Sequence, residues 1–171
     1  NENNILAEGG EFYFCPKDKL LFSGINRNTI AGAEHVASFL NAKELIIIET
    51  TSFHLDTVFT TVFNKKGKLC AMIVCKELIT KDSYKKLKRV SSKLNVHIIT
   101  IPEKDSIGTD SLLGSLAVNS FCSPGLLISS SNYSNSFVSE QIEDLGVKTE
   151  ICSVSQFQLS GGSIHCLTNE L

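Results

Sequence analysis

Hydrophobic positions along the chain follow a pattern that recurs three times. Short apolar runs, which are typical of buried strands, come in pairs, and each pair is followed by an amphipathic segment and a further apolar run. The amphipathic segments begin near Thr29, Lys81 and Ser136, which gives a repeat of roughly 50 residues. The pattern therefore predicts three units, each with the order strand, strand, helix, strand.

The boundaries of each unit follow from the apolar runs and the residues that flank them. Helices are predicted over 29–40, 81–94 and 136–145, with Thr80 as the N-cap of the second and Gly146 just after the third. Strands are predicted, in chain order, over 12–15, 20–24, 44–49, 57–63, 69–75, 96–100, 116–122, 126–130 and 147–154. Repeated units of this kind predict an α/β array with strands inside, helices outside and ligands near the central axis.

Composition and charge fit one soluble globular domain, predicted over 1–171. The 171 residues are 42% hydrophobic and 20% charged, and the net charge is −2. That charge gives no attraction to nucleic acid or an anionic membrane, and no apolar run approaches the ~20 residues of a membrane span. We therefore expect a cytoplasmic protein with neither nucleic acid nor membrane as a partner.

The six cysteines do not indicate a disulfide framework. Most lie in apolar strand runs such as 69–75, where a free thiol behaves as a small hydrophobic group. Reduced cysteines in a reducing compartment are therefore favoured over disulfides. No thiols or histidines have zinc-site spacing, and no glycine-rich nucleotide motif occurs, so neither a metal nor a cofactor is predicted.

Two segments carry residues that suit covalent catalysis. Cys166 follows Gly161-Gly162, and glycines allow a ligand to approach the backbone closely. Its thiolate would be a nucleophile, although a free cysteine near a frayed terminus is the alternative. His54 is a candidate general acid and base, with Asp56 two positions on and so on the same face of a strand. A polar residue at a strand start is the alternative interpretation of His54.

The repeat predicts that these residues meet. Glu8 precedes the first strand of unit one, His54 precedes the first strand of unit two, and Cys166 follows the last strand of unit three. Equivalent positions in units related by rotation converge on one axis if the ring closes. Glu8 would bind a cation or orient His54, with a solvated acid as the alternative. His165 would face away from Cys166 if that segment is extended.

Arg27 lies just before the first predicted helix. A guanidinium in that place is suited to binding a carboxylate, and an ordinary surface arginine is the alternative.

Four motifs, in their order along the chain, resemble those of the pentein superfamily of guanidine-modifying enzymes. They are Glu8-Gly9-Gly10-Glu11, Ile25-Asn26-Arg27-Asn28-Thr29, the segment 54–60 that opens with His54-Leu55-Asp56-Thr57, and the segment 161–168 that contains Cys166. The superfamily includes arginine deiminase, dimethylarginine dimethylaminohydrolase, agmatine deiminase and the amidinotransferases. The resemblance implies a five-bladed α/β propeller, of which this chain would hold about three units.

The resemblance also implies roles for individual residues. Cys166 would attack the guanidinium carbon and form a thiouronium intermediate, and His54 would protonate the leaving amine and then activate water. Glu8 would complete the catalytic set by holding the guanidinium. The residues implied in substrate binding are Asp56 at the guanidinium, Arg27 at the α-carboxylate, and Glu11.

The implied reaction is hydrolysis of arginine or an N-methylarginine to citrulline plus ammonia or an alkylamine. A small guanidino compound is therefore the expected partner, and a homo-oligomer is left open. An amidinotransferase, an agmatine deiminase-like enzyme and a catalytically incomplete arginine-binding relative are the alternatives.

The superfamily places a further substrate-binding acid upstream of the Glu-Gly-Gly motif, and seven residues precede Glu8. We therefore expect the chain to be the C-terminal part of a longer domain, inactive unless complemented.

Overall fold

The structure, a computed structural model, describes residues 5–109 and 111–168 and has a mixed α/β fold, as predicted. Its strands are, in chain order, Phe12–Cys15 (β1), Leu20–Gly24 (β2), Glu44–Ile48 (β3), Phe59–Phe63 (β4), Leu69–Cys75 (β5), His97–Ile101 (β6), Gly108–Thr109 (β7), Leu112–Leu113 (β8), Phe121–Ser123 (β9), Leu126–Ser129 (β10) and Lys148–Ile151 (β11). Its α-helices are Ile30–Phe39 (α1), Lys81–Leu94 (α2), Ser136–Asp144 (α3) and Ser155–Gln158 (α4). Single turns of 3-10 helix lie at Gly9–Glu11, Leu55–Thr57, Lys76–Leu78, Glu103–Asp105 and His165–Leu167.

Three three-stranded sheets share one topology. In each, the first two strands are antiparallel and the third returns parallel to the second after an α-helix. The sheets are β1-β2-β3 with α1, β4-β5-β6 with α2, and β9-β10-β11 with α3. Each sheet therefore has the order of elements that the sequence predicts, whereas closure of five such units into a propeller stays a prediction.

The sheet β4-β5-β6 contacts both of the other three-stranded sheets and contributes many residues to the core. β4 contacts both β1 and β9, and its five residues are all buried. Phe22, Phe59 and Met72 are among the largest fully buried side chains. Because β1 and β4 are neighbours, the segments that lead into them lie side by side.

The helices begin and end where local capping predicts. The Thr29 and Thr80 side chains accept hydrogen bonds from the backbone at the starts of α1 and α2, which confirms the predicted N-cap at Thr80. Gly146 follows α3 with φ +75°, a left-handed conformation that glycine adopts without strain. Two apolar residues at helix ends are exposed: Ile30 at the start of α1 is 56% exposed, and Leu94 at the end of α2 is 37% exposed.

Two predicted strands and one predicted strand face differ from the structure. The strand predicted over 116–122 is present only at its end, in β9, because Leu116 has φ +52° and residues 117–120 are irregular. The strand predicted over 147–154 ends at Ile151, and α4 follows. His54 lies just before, and Asp56 lies within, the 3-10 turn Leu55–Thr57 that precedes β4, so the predicted shared strand face is wrong.

The thiols of Cys70, Cys75, Cys152 and Cys166 are free. No helix in the described ranges has the length and apolar character to cross a membrane.

Candidate functional site

The candidate site lies where three 3-10 turns meet. One turn precedes β1 and follows Glu8, the second precedes β4 and contains Asp56, and the third contains Cys166. The first two turns are in contact, because they lead into neighbouring strands. The third reaches them through Cys166, whose Sγ lies 3.3 Å from Oδ2 of Asp56. The structure thus brings together Glu8, His54, Asp56 and Cys166.

Glu8 and His54 form a pair at the rim of the site. Oε2 of Glu8 lies 2.8 Å from Nε2 of His54, and the two side chains are 52% and 20% exposed. The backbone N–H of Glu8 donates to Oδ1 of buried Asn28 at 2.6 Å, which fixes the position of the acid. A carboxylate in this position orients the imidazole. With Nε2 engaged by Glu8, Nδ1 is the ring nitrogen that faces the interior.

Gly10 lies beneath the space between His54 and Asp56. A Cβ added at Gly10 would lie 2.9 Å from Nδ1 of His54 and 3.0 Å from Oδ2 of Asp56. Any side chain at this position would therefore fill the space that the imidazole and the carboxylate share. The glycine leaves that space open to a ligand.

Asp56 is the buried acid of the site. It is fully buried, and its Oδ2 lies 3.1 Å from Nδ1 of His165 as well as 3.3 Å from Sγ of Cys166. Its other oxygen, Oδ1, is buried and accepts no hydrogen bond from the described residues. A buried carboxylate oxygen without a donor is costly, and a planar cation with two N–H groups is well suited to supply one.

The environment of Cys166 favours the thiol over the thiolate. Burial of the sulfur raises the pKa of Cys166, and the negative charge of Asp56 raises it further. Hydrogen bonds from the Ser163 backbone and the Asn119 side chain lower that pKa but offset only part of the increase. Although the residue as a whole is exposed, its sulfur points towards Asp56. A cation bound at Asp56 would neutralise the charge and lower the pKa of the thiol.

Arg27 lies at the edge of the site. Its Cζ is 4.0 Å from the centroid of the Phe53 ring, and that ring lies 4.4 Å from the ring of His54. The guanidinium is exposed and forms no ion pair with any residue in 5–109 or 111–168. It is therefore available to bind an anion close to His54.

Glu11 lies below the site rather than in it. It is fully buried, and its two oxygens accept hydrogen bonds from the backbone N–H groups of Arg27 at 2.9 Å and Leu55 at 3.0 Å. Burial raises the pKa of Glu11, and the two backbone hydrogen bonds lower it. A Cβ on Gly24 would lie 1.6 Å from Oε2 of Glu11, so the glycine makes room for the carboxylate. This arrangement favours a structural role for Glu11 over the substrate contact that the sequence predicts.

The segment that carries His165 and Cys166 is a 3-10 turn and is not extended, so the condition under which the two side chains are expected to face opposite ways is not met. In a 3-10 turn successive side chains are about 120° apart rather than on opposite faces, so His165 and Cys166 both reach Oδ2 of Asp56. The His165 ring also stacks on Tyr13, with centroids 4.6 Å apart.

Sequence reasoning missed Asn119, a buried residue that contacts the sulfur. Its Nδ2 donates to Sγ of Cys166 at 3.2 Å. The available signal was the polar pair Asn119-Ser120 inside an otherwise apolar run, because asparagine is disfavoured in strands.

A separate cavity of about 540 Å³ lies beside the loop that precedes Cys166. Its lining includes Leu113, Leu116, Gln158 and Gly161 and contains no titratable side chain. We place the candidate site at Asp56 instead, because the nucleophile and the charged groups converge there. No group of three or more metal-binding side chains suits a metal ion within the described residues.

The comparison with protein families identifies the chain. The family model described as N,N-dimethylarginine dimethylhydrolase, eukaryotic, matches residues 1–171. The chain belongs to this family. The membership confirms that the four motifs resemble those of the pentein superfamily. No curated protein matches the sequence closely enough to count as a relative.

Solved pentein structures resemble this dimethylhydrolase-family chain at low identity. The N-terminal domain of ArgZ bound to product, an arginine dihydrolase from the ornithine-ammonia cycle in Cyanobacteria, is 18% identical with a TM-score of 0.74, over 94% of this chain and 54% of that one. AgrE with ornithine and NAD+ is 17% identical with a TM-score of 0.74, over 92% and 21%. SxtG, an amidinotransferase from Microseira wollei in the saxitoxin biosynthetic pathway, is 19% identical with a TM-score of 0.68, over 97% and 47%. These likenesses show the fold, and the chain spans about half or less of each relative.

Proposed function

We propose that this chain carries the nucleophile, the general acid and base, and guanidinium-binding acids of a guanidino-group hydrolase acting on arginine or an N-methylarginine. The observation that carries the proposal is the contact of 3.3 Å between Sγ of Cys166 and Oδ2 of Asp56. A nucleophile beside a buried acid is unreactive alone but becomes reactive when a cation binds that acid. Family membership supports a guanidinium as that cation.

Substrate binding would use the two acids and the arginine. Oδ1 of Asp56 accepts no hydrogen bond from the described residues, so it is ready to accept one from a guanidinium N–H. Glu8 lies on the far side of His54 and would add a second negative charge. Arg27, exposed over Phe53, would pair with the α-carboxylate of an amino-acid substrate.

The first half of the reaction forms the covalent intermediate. Binding of the guanidinium lowers the pKa of Cys166, and the thiol proton passes to His54. Sγ then forms a bond to the guanidinium carbon, giving a tetrahedral adduct. His54 returns the proton to one nitrogen, the C–N bond breaks, and ammonia or an alkylamine leaves a positively charged thiouronium on Cys166.

The second half regenerates the thiol. His54 takes a proton from water as the water oxygen bonds to the same carbon. The C–S bond then breaks, the hydroxyl proton passes to the sulfur, and citrulline is released. The proton taken from water is then released from His54 to solvent, where it protonates the amine released earlier. Protonated arginine and water therefore give citrulline and ammonium.

Amidino transfer is the second candidate. It shares the first half of the reaction, and an amine replaces water in the second. The likeness to the amidinotransferase SxtG supports it at the level of the fold. Product analysis with and without an added amine acceptor distinguishes the two, because only transfer makes a new guanidino compound.

Intact-protein mass spectrometry tests the proposal. The chain, complemented by the upstream part of the longer domain that we expect, is incubated with arginine or an N-methylarginine, quenched in acid, and analysed for a thiouronium on Cys166 and for citrulline in solution. Cys166→Ser should lose both signals, whereas Cys152→Ser, which removes another exposed thiol, should keep both. Labelling by a haloacetamidine should be selective for Cys166 and slowed by arginine. Turnover by Cys166→Ser, or equal labelling of both thiols with no arginine protection, would contradict the proposal.

A further inference from the structure

Asn119 holds the residues around the proposed nucleophile through one buried side chain. Its Oδ1 accepts hydrogen bonds from the backbone N–H groups of His165 at 3.0 Å and Cys166 at 3.3 Å. Its Nδ2 donates to Sγ of Cys166 at 3.2 Å. Asn119 is fully buried, so water does not compete for these bonds. The same amide thus fixes the backbone that carries the sulfur and contacts the sulfur itself.

The segment that carries Asn119 is held out of the sheet. The Ala117 carbonyl accepts hydrogen bonds from Oγ of Ser129 at 2.8 Å and from the hydroxyl of Tyr133 at 3.4 Å. Leu116, just before, adopts φ +52°, a conformation that costs free energy for a residue with a side chain. A regular strand would have satisfied the same carbonyl by pairing. The irregular path instead directs the Asn119 side chain towards residues 165 and 166.

Two neighbours act on the sulfur in opposite directions. Asp56 accepts from the Cys166 thiol and repels a thiolate, whereas Nδ2 of Asn119 is a donor and stabilises a thiolate. The Cys166 turn has only three residues, too few for the dipole of a full helix to contribute. Once a guanidinium occupies Asp56, the Asn119 amide remains as a side-chain donor to the developing negative charge.

We propose that Asn119 is a catalytic residue that directs the sulfur of Cys166 and donates a hydrogen bond to its thiolate. The inference rests on the proposed function in one respect, which is that a guanidinium is the cation that replaces the thiol at Asp56. The contact between Nδ2 of Asn119 and Sγ of Cys166 is present without substrate, so the central test of the proposal needs no turnover.

The test is the pH dependence of alkylation of Cys166 by iodoacetamide, followed by peptide mass spectrometry without substrate. Asn119→Ala should raise the pKa of Cys166 and slow its alkylation at neutral pH about tenfold, because a hydrogen bond to a charged group is lost. Exposed Cys152 is the internal reference, and its rate should not change. Asn119→Asp keeps an oxygen for the backbone N–H groups but removes the donor, and should slow alkylation at least as much.

A matched control distinguishes the effect of supporting the backbone of the segment that carries Asn119 from the effect of contacting the sulfur of Cys166. Ser129→Ala removes one of the hydrogen bonds to Ala117 without touching Cys166, and should leave the alkylation profile of Cys166 unchanged. If Ser129→Ala shifts the profile as much as Asn119→Ala does, the role of Asn119 is structural only and the proposal is wrong. A wild-type profile in Asn119→Asp also overturns it, even if Asn119→Ala does not fold. Lack of guanidino turnover in the wild type would overturn the proposed function but leave these comparisons interpretable.

Discussion

Replacing Asp56 with asparagine should change the reactivity of Cys166 and the turnover of substrate in opposite directions. The carboxylate raises the pKa of Cys166, so its removal should lower that pKa and increase the thiolate fraction at neutral pH. The same change removes a charge that we propose binds the guanidinium. A variant with a more reactive nucleophile should therefore be a much poorer enzyme.

The magnitudes follow from the geometry. At the observed separation of 3.3 Å, a carboxylate and a thiolate repel by ~5 kcal/mol in a medium with an effective dielectric constant of about 20. Solvent at the exposed side of Cys166 reduces that repulsion to about 1.5–3 kcal/mol, and its removal should lower the pKa of Cys166. Loss of one partner of a buried ion pair costs about 3–5 kcal/mol, which corresponds to a fall in kcat/KM of a hundredfold or more.

Two assays on one preparation measure both effects. The rate of iodoacetamide alkylation at Cys166 should rise about tenfold or more in Asp56→Asn at neutral pH, with Cys152 as the reference thiol, while citrulline formation falls. Asp82→Asn on the exposed face of α2 is the control and should change neither rate. Alkylation at the wild-type rate in Asp56→Asn would refute the electrostatic reasoning. Undiminished turnover would refute the role of Asp56 in binding.

Two further predictions concern residues beside the site. Arg27→Ala should raise KM for arginine at least tenfold with little change in kcat, because one charge-assisted contact to the substrate carboxylate is lost. Agmatine lacks that carboxylate, so its KM should not change in Arg27→Ala. Arg89→Ala is the surface control. An equal effect on both substrates would show that Arg27 does not bind the carboxylate. Glu11→Gln should lower the free energy of unfolding by about 1–3 kcal/mol in urea titrations, since an amide replaces one of two oxygens that accept backbone N–H groups. Exposed Glu34→Gln should be neutral, and equal stability of the two variants would contradict the role of Glu11 beneath the site.

The sequence pattern predicts the three sheets because their determinants are local. Paired apolar runs, the N-cap at Thr80 and the glycine after α3 each act within a few residues of the element that they define. The irregular segment 116–120 depends instead on hydroxyl groups of Ser129 and Tyr133, more than ten residues away. The strand propensities of residues in a short stretch of sequence do not reveal hydrogen bonds to distant residues. The apolar run is therefore predicted to be a strand.

The grouping of Glu8, His54, Asp56 and Cys166 follows from the repeat, which places their segments at equivalent ends of the units. The orientation of individual side chains does not follow, because it depends on the kind of turn. An extended segment directs His165 and Cys166 to opposite sides, and the 3-10 turn that forms directs both to Asp56. The catalytic roles of these residues stay predictions until the variants are measured.

The contact between Asp56 and Cys166 has a consequence for the chemical lifetime of the protein. Peroxide oxidises thiolates to sulfenic acid and leaves neutral thiols largely untouched. Because burial of the sulfur and the negative charge of Asp56 both raise the pKa of Cys166, the resting thiol should resist oxidation. A cation bound at Asp56 removes this protection. Oxidation of the Cys166 sulfur by peroxide should therefore become faster as more of the protein binds a cation, unless the bound ligand itself shields the sulfur.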